Sequence, residues 1–156
     1  MTIKGFPADG NAMVIDASAV IAILLAEDDA ERYTRAIEAA ARPRISAASY
    51  LEAAVVIDNR GDVLAQREFD RFIRRAGIEV VAVNLEQAEL ARQAYRDFGK
   101  GRHPAGLNFG DCFSYALAKF TDEPLLFKGA DFSRTDVKTE PLKPMSSVSP
   151  CPVRHF

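Results

Sequence analysis

The sequence predicts an α/β fold with a mostly parallel sheet. Short β-prone runs, MVID at 13–16, PRI at 43–45, IEVVAV at 78–83 and PLLF at 124–127, alternate with longer helical patterns. The segments between them carry apolar residues at three- and four-residue spacing. The first run closes on an acid, Asp16, at the carboxyl end of its strand, the edge where such folds build their sites.

Taken in order, residues 1–12 are polar and interrupted by Gly and Pro, and are expected to be a flexible extension. A strand over 13–16 leads into a helix from Ala17 to Ala26, with Ser18 near its start. Glu27 to Ala41 reads as a charged amphipathic helix with Ala30, Tyr33, Ile37 and Ala41 at helical spacing. After the second strand, Ser46 or Ser49 caps a helix that runs to about Arg60 and stops at Gly61. Its expected stripe is Leu51, Ala54, Val55 and Asp58, with Glu52 and Val56 on the adjacent face.

Asp62 to Ala76 is another amphipathic helix, ended by Gly77. A third strand follows, then a helix from Asn84 or Leu85 to Phe98, ended by Gly99. KGRHPAGLN at 100–108 is a basic loop, and Asn108 can cap the next helix. That helix carries Phe109, Phe113, Leu117 and Phe120 on one face, read as core. A fourth strand precedes KGADFS, and Val137 is assigned to a short fifth. Half of the eight prolines follow Glu140, so 141–156 is expected to be a flexible Pro- and Ser-rich tail.

Bulk properties narrow the field. A chain of 156 residues suits one domain and can bury a sizeable core. The longest apolar run, Ala19 to Ala26, is too short to span a bilayer. The opening residues lack a signal-peptide pattern, and Cys112 and Cys151 make no disulfide framework, so a cytoplasmic protein without a membrane role is expected. The net charge of −2 provides no global field for nucleic acid.

Four acids stand within or at the ends of apolar elements: Asp16, Glu52, Asp111 and Asp131. A carboxylate in such a place is costly unless something compensates for it. A set of carboxylates without a His or Cys cluster suits Mg²⁺ or Mn²⁺ and not Zn²⁺. Each acid also has a plainer reading. Asp16 can cap a helix, Glu52 can face solvent, Asp111 can answer the helix dipole, and Asp131 can belong to a turn after Gly129. Spacing alone leaves both readings open. The two histidines, His103 and His155, form no triad, and there is no P-loop or GxGxxG.

The surrounding residues add a resemblance. MVIDASAVIAIL, SAASYLEAAVVI, GLNFGDCFSYALAK and PLLFKGADFSRTDV resemble successive blocks of a PIN-domain toxin of the VapC type, over about residues 13–140. The resemblance implies a PIN-domain α/β/α sandwich with four to five strands over 13–140. It implies a metal-dependent endoribonuclease, the toxin of a type II toxin–antitoxin pair. It implies an RNA substrate, a VapB-type antitoxin whose C-terminal segment occupies the active-site groove, a homodimer or higher toxin–antitoxin complex, and operator DNA reached only through the antitoxin. The family's acidic positions fall on Asp16, Glu52, Asp111 and Asp131. Asp16 and Asp111 would be the strongest ligands of Mg²⁺ or Mn²⁺, with Glu52 and Asp131 ligating directly or through water. Ser18 and Asn108 would orient waters or a carboxylate.

The expected chemistry is in-line attack of activated water on phosphorus, leaving 5′-phosphate and 3′-hydroxyl ends. Lys100, Arg102 and His103, with Lys128 and Arg134 flanking Asp131, are candidates for RNA phosphate contacts. Cys112 is expected to pack as a small apolar residue. Two rivals are weighed. An Asp-nucleophile phosphoryl-transfer domain would want a second acid near Asp16, and Asp16-Ala-Ser-Ala has none. A PIN-like domain that binds RNA or an antitoxin without catalysis would be signalled by lost acids, and all four are present.

Overall fold

The computed structural model describes residues 11–60 and 62–145. The expected extension up to residue 10, the helix stop at Gly61, and Cys151 and His155 in the tail lie outside the described residues. The elements run β1 (Ala12–Ile15), α1 (Ala17–Leu24), α2 (Ala30–Ala39), β2 (Arg42–Ser46), α3 (Ala47–Asp58), α4 (Val63–Arg75), β3 (Glu79–Val81), α5 (Leu85–Phe98), α6 (Phe109–Thr121) and β4 (Leu125–Leu126). A short 3₁₀ turn, Phe132–Arg134, follows.

All pairings are parallel, and the strand order is β3-β2-β1-β4. The chain therefore steps outward from β1 to β2 to β3, then crosses back to place β4 on the other side of β1. That reversal opens a crevice between the carboxyl ends of β1 and β4, the usual binding place in an open α/β sheet. The fifth strand reduces to a single bridge between Leu125 and Thr139, with Leu125 N–H on the Lys138 carbonyl and Glu140 N–H on the Leu125 carbonyl.

Strand alternation sorts the core into two layers. Met13, Ile15, Ile45 and Leu126 pack with α1, α2, α3 and α4 on one face. Val14 and Leu125 pack with α5 and α6 on the other. Ile15, Ile45, Leu125 and Leu126 are wholly buried. Each such side chain contributes about 1.5–3 kcal/mol relative to exposure. Arg44, also wholly buried in β2, meets Glu123 at 2.8 Å and Glu79 at 3.9 Å.

Several expectations shift. The buried side of α3 is Ser49, Ala53 and Ile57, while Leu51 and Val55 are 60% and 47% exposed. The helix is apolar nearly all round, so periodicity did not select the face that packs. Phe109 is 78% exposed and so is not core, whereas Leu117 is fully buried. As the first residue of α6 it projects beyond the layer that covers the later turns. Gly99 ends α5 in an extended conformation (φ −67°, ψ 155°), not a left-handed one. A Cβ there would stand 2.3 Å from the Tyr95 carbonyl oxygen, so close approach is what excludes a side chain. At the far end, Arg32 of α2 donates to the carbonyls of Leu142 and Lys143, which lays the first residues of the expected tail against that helix.

Candidate active site

Asp16 follows β1 directly and is the N-cap of α1. Its Oδ2 accepts from the Ser18 backbone N–H at 3.0 Å and from the Ser18 hydroxyl at 2.6 Å. Its Oδ1 accepts from the Ser114 hydroxyl of α6 at 2.5 Å. Ser114 is in turn 2.9 Å from the Ser49 hydroxyl of α3. Ser114 spends its single hydroxyl hydrogen on Asp16, so Ser49 donates to Ser114. A buried relay thus fixes an acid that is itself only 5% exposed. The cap reading of Asp16 is correct, and the cap holds the carboxylate at the carboxyl edge of β1.

The Ser18 hydroxyl, having given its hydrogen to Asp16, accepts from the Lys128 backbone N–H at 3.0 Å. Lys128 follows β4, so this bond closes the crevice between β1 and β4.

Asp111 is placed by the start of α6. Asn108 and Asp111 form a reciprocal capping box: the Asp111 N–H donates to Asn108 Oδ1 at 2.8 Å, and the Asn108 N–H donates to Asp111 Oδ2 at 3.0 Å. Burial pushes the Asp111 carboxyl up to about 6; the Asn108 hydrogen bond opposes this, and the charges of Asp16 and Asp131 add to it. Glu52, half-buried on α3, is raised to about 7, first by burial and then by the charges of Asp16 and Asp111. A Cβ on Gly110 would lie 1.8 Å from Glu52 Oε2, so the glycine makes the space that this carboxylate fills. Asp131 is exposed at the rim, and its charge reaches Asp111.

The predicted acids are therefore linked electrostatically: Asp16 and Asp111 act on Glu52, and Asp16 and Asp131 act on Asp111. Among the described residues, no three Asp, Glu, His or Cys side chains are grouped as a ready-made metal cage. The donor chemistry nevertheless fits a hard divalent cation: oxygen ligands only, with two carboxyls raised first by burial and then by their neighbours' charge. A cation would relieve that repulsion, and Mg²⁺ ordinarily keeps several waters with few protein ligands.

The basic candidates separate. Lys128 is ion-paired with Glu27. His103 accepts the Ala105 N–H on Nδ1 at 3.0 Å and sets its ring edge-on to Phe98, a role in shaping the loop. Arg102 lies over the Tyr95 ring, and Lys100 is exposed. Arg134 Nη1 donates to the Pro104 carbonyl at 3.5 Å, which brings this loop beside the segment that carries Asp131. Cys112 is buried and donates to the Asn108 carbonyl; burial pushes its thiol up to about 11, with Asp111 adding to the effect, so it packs as expected. Ser114 was missed by the sequence reading. Its signal was a hydroxyl in an apolar helix, one turn beyond Asp111.

Comparison with known proteins agrees with this architecture. The family profile for the PIN domain matches residues 13–138. Ribonuclease VapC30 of Mycobacterium tuberculosis is 55% identical over 127 residues, covering 81% of this chain and 97% of that protein. Ribonuclease VapC of Mycolicibacterium smegmatis is 54% identical over 125 residues, covering 80% and 97%. Among solved structures, Mycobacterium tuberculosis VapC20, a sarcin-ricin loop cleaving toxin, superposes with a TM-score of 0.65 at 15% identity, covering 81% and 96%. A toxin–antitoxin complex from Klebsiella pneumoniae gives 0.60 at 16% identity, covering 80% and 93%; at such identities both show the fold alone. This chain belongs to the PIN-domain family, among its VapC ribonucleases.

Proposed function

We propose that this chain is the toxin endoribonuclease of a type II toxin–antitoxin pair, and that Asp16, Glu52, Asp111 and Asp131 form its catalytic centre around Mg²⁺ or Mn²⁺. The observation that carries the site assignment is that, on top of burial, the charges of Asp16 and Asp111 raise Glu52 and those of Asp16 and Asp131 raise Asp111, at the β1–β4 crevice. Bound there, a divalent cation supplies positive charge for the phosphodiester and lowers the pKa of water.

The protein's own groups divide the remaining work. Ser18 and Ser114 hold both oxygens of Asp16 in a fixed orientation. Asn108 orients Asp111 through the capping box. Glu52, raised to about 7 by burial and by the charges of Asp16 and Asp111, would have to give up its proton to hold a cation, which would couple loading to pH. In the overall reaction, water attacks phosphorus in line and the bond to the 3′ oxygen breaks, leaving 5′-phosphate and 3′-hydroxyl ends.

An antitoxin of the VapB type and a cytoplasmic setting belong to the same reading, as does a homodimer. Exposed aliphatic residues support a protein-facing surface: Leu51 and Val55 on α3, Val63 and Leu64 at the start of α4. No helix among the described residues is long and apolar enough to cross a membrane.

The test is cleavage of total RNA by purified protein with Mg²⁺, followed by sequencing of the 5′ ends. Activity is expected to stop with chelator and in Asp16→Ala and Asp111→Ala variants that still fold. Wild-type cleavage by either variant would remove the site assignment.

A further inference from the structure

We propose that Phe109 is a stacking platform for an unpaired RNA base at the mouth of the carboxylate site. The residue is 78% exposed, an unfavourable place for so much apolar surface. It is the first residue of α6, followed at once by Gly110, which makes room for Glu52, and by Asp111. The Asn108–Asp111 capping box fixes this turn, so the ring has a set position relative to the acids. Phe113, one turn on and half-buried, meets it at 5.0 Å and 83°, an edge-to-face contact that restrains the ring.

The setting favours a nucleobase over a protein surface. Along the chain Phe109 is flanked by Asn108, Gly110 and Asp111, so its ring, backed by Phe113, is bordered by polar groups at the start of α6. The exposed aliphatic residues of α3 and α4 suit a protein partner better. Single-stranded RNA is commonly held by splaying a base onto an aromatic ring while the backbone meets charge beside it. The ring would supply the stack, and a divalent cation held by the neighbouring acids would meet the backbone phosphate. The inference rests on the proposed reading of the four acids as that centre.

The experiment uses the full chain carrying Asp16→Asn, with Mg²⁺ and short single-stranded RNAs bearing 2-aminopurine at successive positions. At one position the fluorophore is expected to quench on binding. Phe109→Ala should abolish that quench and weaken binding about 5- to 150-fold, the range for losing one aromatic stack. Phe109→Trp should preserve both, and the affinity for the same RNA in a duplex should not change between variants. Undiminished quench and affinity in Phe109→Ala would overturn the proposal. So would a Phe109→Ala variant whose only change is its sedimentation behaviour, which would assign the ring to a protein interface. If Asp16→Asn itself cuts RNA at the wild-type rate, the reading of the acids fails separately, and stacking is then read in chelated wild-type protein.

Discussion

Glu52 occupies the space where a side chain on Gly110 would begin. A Cβ there would lie 1.8 Å from Oε2 and 2.8 Å from the carboxyl carbon. The two residues come from different helices, so a glycine in α6 sets the position of an acid in α3. Gly110→Ala should raise helix propensity by about 1 kcal/mol, and the chain should fold and melt normally. RNA cleavage should fall on the order of 100-fold, the scale expected when a catalytic group shifts by about an ångström. Shortening the acid in the double variant Gly110→Ala/Glu52→Asp should recover part of the loss, and a double-mutant cycle would measure the coupling.

The Ser49–Ser114–Asp16 relay makes a second prediction. Ser114→Ala removes a donor from Asp16 and leaves the Ser49 hydroxyl buried without its acceptor. A loss of about 1–3 kcal/mol in urea unfolding is expected, with activity down about 10- to 100-fold. Ser49→Ala should cost less on both counts, because Ser114 can still donate to Asp16. Equal activity in all three proteins would show that the relay does not orient the acid.

Stability should depend on pH in a direction opposite to that of a salt-bridged acid. Glu52 rises from an ordinary 4.5 to about 7, and Asp111 from 3.8 to about 6. Between those limits the folded chain binds protons that the unfolded chain has released, so unfolding free energy falls as pH rises. The cation-free protein should therefore melt at a higher temperature at pH 5 than at pH 7.5, other groups held equal. Glu52→Gln should flatten that slope, and added Mg²⁺ should restore stability chiefly at the higher pH. A slope identical in wild type and Glu52→Gln would remove Glu52 as its source.

Arg44 and Glu123 form a buried ion pair at 2.8 Å on the α6 side of the sheet. Burial raises the Glu123 carboxyl while Arg44 pulls it down. Glu123→Ala removes the carboxylate 2.8 Å from the buried guanidinium and should destabilise the chain by about 3–5 kcal/mol. Replacing both members by apolar residues of similar volume should cost much less, as denaturant titration would reveal.

What the sequence disclosed follows from which forces are local. Element order and the strand ends that carry Asp16 and Asp131 were readable because strand patterns, caps and stops are short-range. The Asn108 cap is an example, confirmed as a full capping box. The packed face of α3 was not readable, because residues such as Leu51, Val55, Ala53 and Ile57 offer apolar surface in every direction and only the neighbours choose among them. The Ser114–Asp16 bond spans 98 positions, and no spacing rule reaches that far. Phe109 was misplaced because a four-residue interval to Phe113 says nothing about where the core layer ends. Even at Gly99, where the stop was correctly placed, its cause was a close carbonyl and not a left-handed turn.

The pairing of β1 with β4 also sets when the site comes into being. β1 is made well before β4, yet they are hydrogen-bonded neighbours, and the Lys128 N–H reaches Ser18 only after both have docked. Chains emerge and begin to fold from the amino end. A ribosome-held chain that stops short of β4 can form the β1–β2–β3 side of the sheet, but it lacks Asp131 and the closing bond over Asp16. The four acids thus come together as a full set only after β4 has been made and has docked beside β1.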